Sequence, residues 1–258
     1  MARIALVTDS SCGLPDELVR EYGIYVVPLD VIVDDSVHRD LSSDQLISAL
    51  RAGQRVTTSK PSPAQFTEVF EQAAGDGFDS VVTATLSAAL SGTYESAVVA
   101  SRASGLAIEV VDSRTVGLGL GFAVADAAGS VAGGEASLDE VSRLIALSAN
   151  RAQVLFYLDT LEHLRKGGRI GAASALIGSA LAIKPILQVK DGEIAPAAKV
   201  RTESKALERM VESAVAVATP TEIPRYGVQH LGALDRAQHV AALLREADPA
   251  AEDRKSVV

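Results

Sequence analysis

Three segments of the chain pair hydroxyl side chains with turn-forming residues. Thr8-Asp9-Ser10-Ser11 follows the apolar run Ile4–Thr8. Thr57-Thr58-Ser59-Lys60-Pro61-Ser62 precedes a helical pattern. Thr85-Leu86-Ser87-Ala88-Ala89-Leu90-Ser91-Gly92-Thr93 follows a second apolar run and opens another helix. Hydroxyls and the free N–H groups of helix starts donate hydrogen bonds, so the ligand they suit is an anion. Gly92 would let the backbone approach it closely. Each segment alone reads more readily as an ordinary cap or turn, and Ser62 and Ser91 are well placed as N-caps. Their recurrence at three strand ends or helix starts is what marks a site. In an open α/β sheet, ligands gather at the carboxyl ends of the strands.

The remaining motifs narrow the chemistry. No Gly-rich loop ends in Lys-Ser/Thr, as a nucleoside triphosphate would need. Gly117-Leu118-Gly119-Leu120-Gly121 departs from the dinucleotide spacing and reads as close helix packing. Asp9-Ser10-Ser11 lacks the second Asp of an aspartyl-phosphate phosphatase, and no GxSxG elbow occurs. His38, His163, His230 and His239 have no metal-ligand spacing, so no metal is expected. Cys12 reads as a small buried residue, since no base is suggested beside it. Hydroxyls without a base or nucleophile favour binding over catalysis. Neutral hydroxyls suit a single carboxylate better than a polyphosphate. Two basic spots stand apart, Arg165-Lys166-Gly167-Gly168-Arg169 in a turn and Lys199-Val200-Arg201-Thr202 at a strand end. They read either as contacts to a phosphate or acidic partner or as solvated helix ends.

The elements that must carry these loops follow from period and punctuation. Strands are expected at Ile4–Thr8, Ser80–Thr85 and Ala107–Val111, and extended chain at Ile24–Val33. Helices are expected at Pro15–Tyr22, from Ser42 to Arg51 with Gly53 as the stop, from Ser62 to Ala74, and at Gly92–Ala103, Thr115–Ala132 and Leu138–Ala149. This βα alternation implies a parallel sheet wrapped by helices. The pattern changes near Asn150, which suggests an N-terminal α/β domain over residues 1–150 and a C-terminal one over 151–258. The second part reads as a strand at Val154–Leu158, helical segments at Thr160–Arg165 and Ala172–Ala182, and a hairpin of Lys184–Val189 with Glu193–Val200 around Lys190-Asp191-Gly192. A helix at Glu203–Ala218, a strand at Arg225–His230 and a helix at Asp235–Glu246 complete it, giving mixed parallel and antiparallel signals. Ser256-Val257-Val258 resembles the start of a strand, so the C-terminal domain is expected to be truncated.

Composition bounds the class. The 258 residues carry a net charge of -9, with 48% hydrophobic and 22% charged residues. Intrinsic disorder and collagen-like repeats are out. The acidic balance argues against nucleic acid. One cysteine, no signal-peptide core and no apolar run of about 18 residues point to a cytoplasmic protein without an integral membrane segment. Aromatics are 4% and Trp is absent, so core and ligand pocket alike should be aliphatic.

Taken in order, Val7-Thr8-Asp9-Ser10-Ser11, Thr57-Thr58-Ser59-Lys60-Pro61-Ser62, Leu86-Ser87-Ala88-Ala89-Leu90-Ser91-Gly92-Thr93-Tyr94, Leu164-Arg165-Lys166-Gly167-Gly168-Arg169-Ile170 and Lys199-Val200-Arg201-Thr202 resemble the DegV family of bacterial fatty-acid-binding proteins, the binding subunits (FakB) of fatty acid kinase. The resemblance spans essentially the whole chain. It implies a two-domain DegV-like α/β fold, a parallel N-terminal domain and a mixed-sheet C-terminal one, with one long-chain fatty acid between them. The carboxylate would sit on Ser/Thr loops and the tail in an aliphatic tunnel. It also implies that a separate ATP-dependent kinase subunit makes acyl phosphate for phospholipid synthesis, so this chain would be no enzyme and need no cofactor beyond the bound fatty acid. Carried over, Thr58, Ser59, Ser87 and Ser91 are the carboxylate candidates, with Ser10 and Gly92 completing the ligand loops. Arg169 and Arg201 look like the arginines of kinase engagement or phosphoryl transfer.

Two departures stand out. The family's Leu-Ser-Ser is Leu86-Ser87-Ala88 here, and no Gly-Ala-His-x-Gly-Pro-Gly-like segment precedes Val258, so no histidine receives a role. The competing reading is an enzyme acting on a small phosphorylated or carboxylated metabolite through Asp9 and the serine loops. A third is a regulatory protein for which the lipid is a signal.

Overall fold

The computed structural model describes residues 3–39, 41–134, 136–176, 183–217, 224–249 and 251. The chain divides into two compact units, Met1–Ala152 and Gln153–Val258.

In the first unit the chain runs β1 (Ile4–Asp9), α1 (Asp16–Glu21), β2 (Tyr25–Val27), β3 (Asp30–Val33), β4 (Ser36–His38), α2 (Ser43–Arg51), β5 (Val56–Ser59), α3 (Pro63–Gly75), β6 (Ser80–Thr85), α4 (Thr93–Ala103), β7 (Ala107–Asp112), α5 (Leu118–Ala132) and α6 (Leu138–Arg151). A short 3₁₀ turn, Ser10–Cys12, follows β1 directly. The main sheet has the order β2-β1-β6-β7, and every pairing is parallel.

All residues of β1 and β6 are buried, which is why both read as unbroken apolar runs rather than alternating ones. One face carries Ala5, Val7 and Val81 against Phe66 and Phe70 of α3 and Ala97 and Ala100 of α4. The other carries Ile4, Leu6, Val82 and Ala84 against Leu120 and Val124 of α5 and Val141 and Ile145 of α6. The result is three layers, helix on sheet on helix. Ser42, Ser62 and Ser137 each close a full capping box, so α2, α3 and α6 start where local chemistry directs. Gly121 faces the chain after β1: a Cβ there would lie 2.5 Å from the Cys12 carbonyl oxygen. The glycine run is therefore a packing device, with the Gly117 N–H donating to the Ser11 carbonyl at 2.9 Å.

Ile24–Val33 is extended as expected, and it forms two strands in two sheets, with the break at Pro28-Leu29. One expectation is corrected here. Thr57–Ser59 belongs to a strand, not a loop. It pairs with β3 in a three-stranded antiparallel sheet of order β4-β3-β5. These strands are short and partly exposed, so their apolar period is too weak to read. Asp34 and Asp35, at φ 45 and 73, make the tight β3–β4 turn.

The second unit runs β8 (Leu155–Tyr157), α7 (Glu162–Lys166), a 3₁₀ segment Gly171–Leu176, β9 (Lys184–Lys190), β10 (Glu193–Val200), α8 (Glu203–Ala216) and α9 (Leu234–Ala247). Its described ladders are all antiparallel, in the order β10-β9-β8. The β9–β10 hairpin turns on Asp191 and Gly192, both at positive φ. Arg225–His230 does not form a strand; it contributes only single bridges at Arg225 and Val228. The start of the expected Ala172–Ala182 helix is 3₁₀ instead, and its remainder lies outside the described residues, as do Ala218 and Ser256–Val258. Arg236 of α9 ties this unit together, reaching Asp159 and Glu203 at 2.8 Å each and lying 5.7 Å from the Tyr157 ring centroid. The Arg236 side chain holds the Asp159 carboxyl below its ordinary range.

Candidate functional site

Asp9 ends β1 with no exposed surface. Its carboxylate accepts three hydrogen bonds: from the Ser11 N–H at 3.0 Å, the Ser11 hydroxyl at 2.5 Å and the Leu86 N–H at 2.7 Å. Burial pushes the Asp9 carboxyl up, and the Ser11 hydroxyl and the backbone donors pull against that shift. The bond to Leu86 couples the loop after β1 to the loop after β6. Ser10 stands at the exposed start of the first loop, where its hydroxyl accepts from the Leu29 N–H at 2.9 Å.

The loop after β6 is held from three sides. The Ser87 N–H donates to the Thr115 carbonyl at 2.8 Å. The Ala88 N–H donates to Asp112 Oδ1 at 3.0 Å, and the Arg114 N–H reaches the same oxygen at 2.9 Å. The Ser87 carbonyl accepts from Leu90 and Ser91, closing a compact turn. Ser87 itself is buried, and its Oγ accepts from the Ala89 N–H at 3.3 Å. Ser91 and Thr93 share a hydroxyl–hydroxyl bond of 2.8 Å. Gly92 between them opens α4 without a side-chain cap.

The third segment arrives through Lys60. A Cβ built on Gly92 would lie 2.9 Å from Lys60 Cδ and 3.0 Å from Lys60 Nζ. The end of the Lys60 side chain therefore lies against the start of α4. Thr58 and Ser59 sit on β5 opposite Val31 and Asp30. The Ser59 hydroxyl donates to the Lys60 carbonyl at 3.2 Å. Ser10, Ser87, Ser91 and Gly92 thus belong to loops joined by Asp9–Leu86, and Thr58 and Ser59 to a strand joined by Lys60–Gly92. Nearby, the buried hydroxyls of Thr8, Thr85 and Thr115 have no hydrogen-bond partner among the described residues.

Sequence reasoning missed three residues that do this joining: Asp9 as a latch, Asp112 as a loop anchor and Lys60 as a bridge. Asp9 carried a signal, because an Asp two residues before Ser11 at a strand end is the pattern of an Asx turn. Nothing local announced Asp112 or Lys60.

Arg169 and Arg201 belong to the second unit, and both are exposed. Arg169 follows the Gly167-Gly168 turn, and its guanidinium donates to the Gly167 carbonyl. Two residues on, Gly171 packs against the Ile194 carbonyl near the start of β10. Arg201 follows the other end of that strand, just before Thr202, which caps α8 through the Lys205 N–H. The two arginines therefore root toward opposite ends of β10. Among the described residues, no three His, Cys, Asp or Glu side chains cluster as metal ligands, and no helix is long and apolar enough to cross a membrane.

The buried Asp9 latch and the loops carrying Ser10, Ser87 and Ser91 lie at the carboxyl ends of parallel strands, the place where open α/β folds hold their ligands. Comparison with known proteins places the chain further. The family model described as "Uncharacterised protein, DegV family" matches residues 3–257. A DegV domain-containing protein of Streptomyces coelicolor is 43% identical over 256 residues, covering 97% of this chain and 89% of the relative. Among solved structures, a DegV family protein from Thermus thermophilus described by its fatty acid binding superposes with a TM-score of 0.87 at 33% identity, covering 99% of this chain and 91% of that one. DegV from Bacillus subtilis, described as a fatty acid binding protein, gives 0.88 at 29% identity, over 98% and 91%. The chain belongs to the DegV family.

Proposed function

We propose that this chain binds one long-chain fatty acid and presents it to a separate ATP-dependent kinase, which forms the acyl phosphate. The carboxylate is held by the hydroxyl segments, with Thr58, Ser59, Ser87, Ser91, Gly92 and Ser10 as the contact set, and the tail lies among aliphatic side chains. The observation that carries this reading is the convergence of hydroxyl segments through Asp9–Leu86 and Lys60–Gly92, in a chain whose full length matches DegV structures described as fatty-acid-binding.

The physical terms support it. Burying a C16 tail at ~0.8 kcal/mol per CH₂ supplies about 10 kcal/mol before binding costs. The hydroxyls then set orientation, because hydrogen bonds to a carboxylate are stronger than those between neutral groups. A role as an enzyme through Asp9 fits less well. That carboxylate is wholly buried and already accepts three hydrogen bonds, so it is not presented as a nucleophile or base. The chemistry is therefore assigned to the partner, in the cytoplasm, with Arg169 and Arg201 as its contacts.

Organic extraction of the purified protein followed by mass spectrometry tests the binding. A near-stoichiometric C14–C18 acid is expected. A clean extract together with no uptake of added palmitate would overturn the reading. For the kinase half, acyl phosphate should form only when a fatty acid kinase catalytic subunit and ATP are added. Arg169→Ala should reduce that rate and leave palmitate binding intact.

A further inference from the structure

Lys60 occupies an electrostatically odd position. Its side chain runs over Gly92, so that Cδ and Nζ fill the space a side chain there would take. This sets an ammonium beside the first turn of α4, an 11-residue helix whose free N–H groups make that end electropositive. Lys60 is exposed, so water screens much of the repulsion between the ammonium and the helix end, and an anion seated there would be attracted by both. Glu95, in the first turn of α4, is exposed, and among the described residues no acidic side chain makes an ion pair with Lys60. The hydroxyls on either side of Gly92 add a donor: of the two hydrogens in the Ser91–Thr93 pair, one is used between them and the other remains for a ligand.

We propose that Lys60 is the charge partner of the ligand's head group and makes the site selective for the ionised acid over a neutral alcohol or ester with the same tail. The inference rests on the fatty-acid reading above and deepens it: hydroxyls favour the ionised acid only through stronger hydrogen bonds, whereas an ammonium at the end of α4 adds an attraction that a neutral head group lacks.

The test compares palmitate with 1-hexadecanol at mildly alkaline pH, using the full chain, Lys60→Gln and Lys60→Arg. Lys60 is exposed, so both variants should fold, and equal unfolding midpoints verify this. Lys60→Gln should lose about tenfold or more in palmitate affinity and little for the alcohol, while Lys60→Arg keeps most of the preference. Raising the salt tenfold should weaken palmitate binding to the unmodified chain and leave Lys60→Gln nearly unaffected. Palmitate binding that is the same in the unmodified chain and Lys60→Gln would overturn this role and leave the fatty-acid reading standing. Failure of the unmodified chain to bind either probe would overturn both.

Discussion

The Asp9 carboxylate accepts a hydrogen bond from the Leu86 N–H at 2.7 Å, across 77 positions of sequence. Through it the loop that ends β1 sets where the Ser87 turn begins. Asp9→Asn turns one acceptor oxygen into a donor facing donors, and should cost about 1–3 kcal/mol of unfolding free energy in urea titrations. A smaller loss would mean that Leu86 is held by its neighbours without Asp9.

The pH dependence of the same variant has a definite sign. Burial raises the Asp9 carboxyl above its ordinary value of 3.8. A raised carboxyl binds its proton more tightly in the folded chain than in the unfolded one. Its stabilising contribution is complete below 3.8 and falls as pH rises through the folded-state value. The stability of the unmodified chain relative to Asp9→Asn should therefore decline as pH climbs from 3.8 upward. An advantage that grows over this range would show that the Ser11 and Leu86 bonds outweigh burial.

Ser87→Ala should lower the affinity for a labelled fatty acid about five- to tenfold. The Ser87 backbone bonds to Thr115, Leu90 and Ser91 are untouched by this change, while the Ala89 N–H loses its 3.3 Å bond to Oγ, so the unfolding midpoint should fall modestly. Equal affinity would remove Ser87 from the site.

Cys12 is buried beside Leu14, and burial pushes its thiol up to about 11. At pH 8 almost none is thiolate, so a maleimide should label the native chain far more slowly than the urea-unfolded one. Comparable rates would contradict the packing drawn here.

Gly121→Ala places a methyl 2.5 Å from the Cys12 carbonyl and 2.9 Å from Leu14 Cγ. Backbone and core must shift, at about 1–3 kcal/mol. Gly129→Ala, in the same helix with nothing near, should be neutral or slightly stabilising. Thermal unfolding of the pair separates packing from helix propensity.

What the sequence by itself determined is local. The limits of β6, the capping boxes at Ser42 and Ser62, and the turn at Asp191-Gly192 depend on residues within a few positions of one another, so period and spacing report them. The hydroxyl segments were visible as types for the same reason. Only the tertiary structure decided how they meet. Thr58 and Ser59 lie on a strand because β3 comes to pair with Val56–Ser59, and that free energy is released only once the intervening chain has closed. Asp9 finds Leu86, and Lys60 finds Gly92, because the parallel sheet lays β1 beside β6 and α4 starts at their common end. Parallel strands need a crossover between them, so residues that act together there lie far apart in the chain, beyond the reach of any spacing rule.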